Sequence, residues 1–243
     1  MLNLLRKLRR KEMKGSKYLK YAVGEVFLVM IGILLAFQVN QWRDDFKQKK
    51  EEIQTIELLI HDLSVEKVNM EVFIVKLREQ QQSIVNFLLA INNNYHPDSL
   101  VAHINGVTNL WNYRPSKPTY EGLKQNGKLA IIGNQEVRNL VIDYFQETMP
   151  YLADLTVHNK ESHEEAKKAL RPYFGHSFSQ DGFWKLDIYA NLDQLRKSDE
   201  TKHITSFSGS RKGSLARGIE RLFLDENLKV TTSLEEYLAK IKN

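Results

Sequence analysis

Apolar residues recur every seven positions along the middle of the N-terminal half: Ile56, Leu63, Met70, Leu77, Ile84 and Ile91. Leu59, Phe73 and Phe87 add a second phase, and Glu66 and Gln80 occupy that same phase between them. No Gly or Pro interrupts the chain from Asn40 to Asn92. A sustained seven-residue repeat predicts one long helix with a coiled-coil-like packing stripe. Drawn straight, residues 42–92 would span about 75 Å. A lone helix of that length is not stable in water, so its stripe must meet other helices.

Weaker patterns follow. "INNNYHPDS" breaks the stripe, and "SLVAHINGVTNLW" predicts a short helix over about 99–110. A loop carries Pro115 and Pro118, and a short helix starts near Thr119 and stops at Gly127. "KLAIIG" reads as either turn or strand. Asn134 then caps a helix that runs to Arg171-Pro172, with a kink expected at Pro150. "FGHSFSQDGFWKLDIYANLDQL" predicts an irregular, aromatic-rich cover over the tip of a bundle. After Ser198 a last helix carries an imperfect stripe of Ile204, Phe207, Leu215, Ile219, Leu222, Leu234, Leu238 and Ile241, weakened by Gly209, Gly213 and Gly218. The expected fold is all-α: a long helix over 43–92, a small head over 93–197, and a helix over 198–242 that returns antiparallel to pack on the first.

The N-terminal end has another pattern. Ala22 to Phe37 is apolar apart from Glu25 and two glycines. Tyr18 and Tyr21 stand at one end of this run and Trp42 at the other, as interfacial aromatics do. Tyr21 to Trp42 as a helix covers about 31 Å, close to the hydrocarbon thickness of a bilayer. A buried core helix is the rival reading, but it gives no reason for both aromatic belts. The exit "LLAFQVNQW" lacks a small-x-small cleavage site, which favours an uncleaved anchor over a signal peptide.

Charge sharpens this picture. The chain of 243 residues is +5 overall. Residues 1–20 hold eight Lys/Arg and one Glu, so this segment is +7 and the remainder is −2. The basicity belongs to a tail beside an apolar run, which points to a membrane and away from nucleic acid. The expected organisation is a basic cytoplasmic tail (1–20), a transmembrane helix (21–42) and an extracytoplasmic helical domain (43–243), in a bacterial inner membrane with the domain in the periplasm. The tail itself, with Leu2, Leu4, Leu5 and Leu8 among its cations, reads equally as an amphipathic surface helix or as a disordered topology signal.

Glu25 lies one turn inside the apolar run. It can reach the interface and neighbouring basic groups. It also shares a helical face with Leu28, Gly32 and Ala36, and Gly32-x-x-x-Ala36 is a small-xxx-small pair that lets helices approach. Both readings stand, and the second predicts a homo-oligomer or a membrane partner.

The residues Tyr18, Leu19, Tyr21, Ala22, Gly24, Glu25, Ile31, Gly32, Ile33, Ala36, Asn40 and Trp42 form a signature. It resembles the N-terminus of a family of uncharacterised single-pass membrane proteins of Bacteroidetes. "TYEGLKQNGKLAIIGNQEVRNLVIDYF" is similar to that family's second block, with Asn126-Gly127 where the family often has Ser-Gly. The resemblance implies a membrane anchor with a helical extramembrane part, and implies no activity.

Few residue patterns in the chain point to chemistry. Without cysteine there is no disulfide, thiolate nucleophile or Cys-type metal site. His158 and His163 are five apart and share a face poorly; "HNKESHEE" reads as a solvated helix surface. "GSRKGSLARG" lacks phosphate-loop spacing, and no GxSxG occurs. No catalytic, metal or cofactor-binding residue is assigned, and no cofactor is expected. Trp111, Tyr113, Tyr120, Phe183 and Trp184, with Phe174 and Phe178, form either a partner surface or the core of the head. The expected role is an envelope interaction, scaffold or regulatory module. The alternative is an enzyme or ligand sensor with a site in the aromatic head.

Overall fold

The computed structural model describes residues 2–93, 96–178, 184–187 and 191–242, with side chains described over 22–93, 96, 99–100, 102–104, 106–174 and 191–242. Almost all of it is helical. Helix α1 runs Leu2–Asn92, and α2 (Pro97–His103), α3 (Asn105–Thr108) and α4 (Pro118–Gln125) follow. Then come α5 (Gln135–Asp143), α6 (Met149–Leu170), α7 (Leu192–Lys197), α8 (Asp199–Gly218) and α9 (Leu224–Lys242). The chain divides into two compact units, Met1–Glu52 and Ile53–Asn243.

The first unit is helical from Leu2. Its apolar segment, from Ala22 onward, is long and apolar enough to cross a membrane, and none of it is buried within the protein. Among the described residues it does not serve as a core helix. A single apolar helix of this kind is consistent with a single-pass membrane topology.

The second unit is built on the heptad stripe. Ile56, Leu59, Leu63, Glu66, Met70, Phe73, Leu77, Gln80, Ile84, Phe87 and Ile91 are all buried. Two apolar clusters grow from it. The larger joins Ile56 to Leu77 with Tyr120, Val141, Tyr144, Phe145, Ile219, Phe223 and Leu234. The smaller joins Ile84, Phe87 and Ile91 with Leu100, Ile104, Leu170 and Leu195. Helices α8 and α9 run antiparallel to this part of α1. Gly209 lies against Ile84, Arg78 pairs with Glu220 at 2.6 Å, Asn227 Nδ2 donates to the Leu63 carbonyl at 3.1 Å, and Lys242 pairs with Glu57 at 2.7 Å. Rising residue number on one side meets falling number on the other, which is the helical hairpin the two stripes require.

Local signals end the elements where expected. The Asn134 side chain accepts from the Val137 N–H at 3.1 Å, and Ser198 Oγ accepts from the Thr201 N–H at 3.3 Å. Gly127 has φ +65°; the Lys128 N–H returns to the Leu123 carbonyl at 2.8 Å and the Gly127 N–H to Lys124, closing α4 with a Schellman turn. At Pro150 the departure from α geometry takes the form of a π turn over Tyr144–Thr148, just before the proline. A wider turn accommodates a residue that has no N–H to give and whose ring crowds the carbonyl behind it. A second π turn, Ile219–Phe223, joins α8 to α9 without a proline.

Two expectations need correction. The segment expected to be irregular contains an antiparallel hairpin, β1 (Gly175–Phe178) with β2 (Trp184–Asp187), in which Gly175 pairs with Asp187 and Phe178 with Trp184. The alternation of aromatic and polar residues there satisfies a strand as well as a loop, and the pairing is what decides. The helix face bearing His163 is not solvated, since His163 is buried against α8.

Candidate functional site

A stripe that buries eleven positions of one helix does not need Glu66 or Gln80, so their burial directs attention to what surrounds them. Glu66 is fully buried on α1. The Tyr113 hydroxyl donates to its Oε1, and the Ser116 N–H donates to its Oε2 at 3.0 Å. Burial pushes its carboxyl up to about 7, and the Ser116 bond opposes this weakly. Asp62, one turn earlier, accepts the Thr119 N–H at 2.9 Å. Two carboxylates of α1 thus hold the loop ahead of α4. Asn227 bridges the far side, donating to the Leu63 carbonyl and to the Tyr144 hydroxyl, each at 3.1 Å. Burial raises the Tyr144 phenol, so it stays neutral.

A second polar layer lies between α6 and α8. From α6 come Asn159, Ser162 and His163; from α8 come Thr201, Thr205, Ser208 and Lys212, all buried. Lys212 Nζ stands 3.5 Å from His163 Nδ1 and 3.3 Å from Ser208 Oγ. Burial lowers His163 to about 4, helped by the Lys212 charge, and burial lowers Lys212 to about 8. The neutral imidazole can therefore accept from the ammonium. Gly209 and Gly213 admit Ile84 and Gln81 of α1 to this layer.

Next to both layers is a half-open cleft of about 250 Å³. The segment Leu110–Arg114 forms one wall, Thr156, Val157, Asn159 and Lys160 of α6 form the other, and Phe73 of α1 contributes to the lining. Tyr113 connects it to Glu66 and stacks on Phe73 with ring centroids 5.3 Å apart. The Lys76 ammonium lies 5.3 Å from the centroid of the Trp111 ring. Asn159 is 3% exposed, and its Oδ1 has no hydrogen-bond partner. Arg114 and Lys160 are exposed cations, and neither is in an ion pair among the described residues. The cleft thus offers positive charge, an indole face and a free amide oxygen. Among the described residues, no three His, Asp or Glu side chains converge as metal ligands would.

The residues expected from sequence are dispersed. Trp111 is half-exposed at the cleft. Tyr113 and Tyr120 are buried and leave the list of surface anchors; Tyr120 stacks on Phe145 at 4.6 Å between centroids and its hydroxyl accepts from Gln146. Phe174 is half-buried, edge-on to Phe87. Phe183 and the side chains of Tyr18, Tyr21, Phe178 and Trp184 lie outside the described residues. Leu28, Gly32, Ala36 and Trp42 are exposed on α1, as is Glu25, and the space around Gly32 is open. Asn159, His163 and Lys212 escaped the sequence reading because a search for apolar periodicity passes over a polar face. Their signal was present: 159, 162, 163 and 166 on α6 and 201, 205, 208 and 212 on α8 are helical faces of small and polar residues.

No curated protein and no solved structure matches the chain. A family model described as "Family of unknown function (DUF6090)" matches residues 25–172, more than half of the chain, and the chain belongs to that family.

Proposed function

We propose that this family member is a single-pass membrane protein whose second unit is an interaction module, with a scaffolding or regulatory role in a bacterial envelope. The observation that carries the reading is an apolar segment of α1 exposed throughout its described residues, together with a separate unit that has its own core. The +7 tail over 1–20 supports this reading, with the N-terminus in the cytoplasm, residues 21–42 in the inner membrane and 43–243 in the periplasm. Within the span, Glu25, Leu28, Gly32 and Ala36 share one helical face, and its small-xxx-small pair supports close approach by a second helix; these four residues are exposed.

The test uses the absence of cysteine. Ser210→Cys on the exposed side of α8 and Ser16→Cys in the tail are labelled with a membrane-impermeant maleimide in intact and in lysed cells. Labelling of Ser210→Cys in intact cells and of Ser16→Cys only after lysis is expected. The reverse pattern would invert the topology, and release of the protein by alkaline carbonate would remove the anchor.

A ligand sensor is the second reading, favoured by a cleft whose lining holds the unpartnered Asn159 oxygen and the exposed cations Arg114 and Lys160. An anionic aromatic dye, anilinonaphthalene sulfonate, should bind the native protein and lose affinity in Arg114→Gln/Lys160→Gln. Equal binding by both proteins removes this reading.

A further inference from the structure

The heptad stripe that builds the core uses one side of α1. The other side carries a second stripe. Leu58, Val65, Val68, Val72 and Val75 are 40–55% exposed, and with His61 they follow alternating spacings of three and four. These are the a and d positions of a coiled coil: Leu58, Val65 and Val72 at a, and His61, Val68 and Val75 at d. Leu89 continues the d phase, after Glu79, Gln82 and Asn86 have made the seam polar. An exposed helix face normally places charged residues at these positions, and four valines are poor helix formers with no local reason to be there.

We propose that this seam receives the same seam of a second copy, in a parallel, in-register pair. Val65 and Val72 at a suit a two-stranded seam, although Val68 and Val75 place β-branched residues at d as well. The flanking positions give one opposite-sign match in this alignment. Position g of one helix faces the following e position of its partner, so Glu71 meets Lys76, which also pairs with Glu79 at 2.8 Å in its own chain, and Ser64 meets Asn69. Glu57 would face Asp62, but Glu57 is already paired with Lys242 and Asp62 already accepts the Thr119 N–H. The apolar part, Leu58 to Val75, is about 26 Å long, short for an independent dimer. The proposal rests on the membrane reading here: two anchored copies are held parallel, at an effective concentration that lets a short seam close.

The experiment is disulfide scanning of the full chain in native membranes, with copper phenanthroline as oxidant. Val68→Cys and Val72→Cys are exposed single cysteines on the seam; Lys67→Cys is exposed on another face. Twice-mass adducts at Val68→Cys and Val72→Cys, at least about fivefold above Lys67→Cys, are expected for paired d and a positions. Equal yields at all three positions would mean random collision and overturn the proposal, as would no adduct or an adduct of another mass. Carbonate extraction of the same membranes reads the anchor separately. A seam pattern in a protein that extracts would retain the pair and refute the anchor, and an integral protein with no pattern would do the opposite.

Discussion

Replacing Glu66 by glutamine is the most discriminating perturbation of the core. The side chain keeps its shape, and the Tyr113 hydroxyl can still donate to it. What disappears is the ionisable oxygen and its bond from the Ser116 N–H. Burial holds the native carboxyl at about 7, against an ordinary value of 4.5. Between those values the folded chain binds more protons than the unfolded chain, so stability falls as pH rises. The loss is about 1.4 kcal/mol per pH unit across the window, or roughly 2 to 3 kcal/mol from pH 5 to pH 8. Losing the Ser116 bond costs the variant about 1 kcal/mol at every pH. Glu66→Gln should therefore match the parent near pH 5 and exceed it by about 2 kcal/mol at pH 8. The assay is urea unfolding of the full chain in detergent, followed by circular dichroism at both pH values, with midpoints compared at equal slope. His163 acts with opposite sign: its lowered value of about 4 means stability is lost as pH falls from 6.5. That contribution is common to both proteins and cancels in the difference. A gap that stays constant with pH would refute the reasoning, because it would mean that Glu66 ionises as a solvated carboxylate does.

Other perturbations test the packing. Lys212→Met removes a buried ammonium held at about 8 against 10.5; it should stabilise by about 2 to 3 kcal/mol at pH 7, with the gain vanishing as pH rises through 10.5, as denaturant midpoints would register. Asn227→Ala leaves the Leu63 carbonyl and Tyr144 hydroxyl without their shared donor and should cost about 2 to 3 kcal/mol in the same assay. A Cβ at Gly106 would run into Ser83 Cβ, close to the α1 backbone, whereas at Gly213 it would meet the end of the Gln81 side chain. Gly106→Ala should thus lower the thermal midpoint clearly more than Gly213→Ala, and the reverse order would show that the α1 contact at Gly106 yields easily.

The sequence alone determined what periodicity and covalent chemistry determine. The seven-residue stripe made α1 long and told which of its apolar residues would be buried; that Glu66 and Gln80 are buried with them is what the packing added. Asn134, Ser198 and Gly127 marked helix ends, because a cap depends on one side chain or one φ angle. The apolar run marked a segment long and apolar enough to cross a membrane. Tertiary structure decided what depends on residues far apart in the chain. Two short aromatic segments became a hairpin through pairing with each other. Tyr113 and Tyr120 went inward because α1 offered Glu66 and Phe73 to one and α5–α6 offered Phe145 and Gln146 to the other. The polar faces of α6 and α8 became an interface in which Lys212 of one helix reaches His163 of the other while Ser162 and Thr205 bond within their own helices, and no single helix carries that information. The cleft is a further product of assembly, since its walls come from segments more than forty residues apart and meet once the bundle has formed.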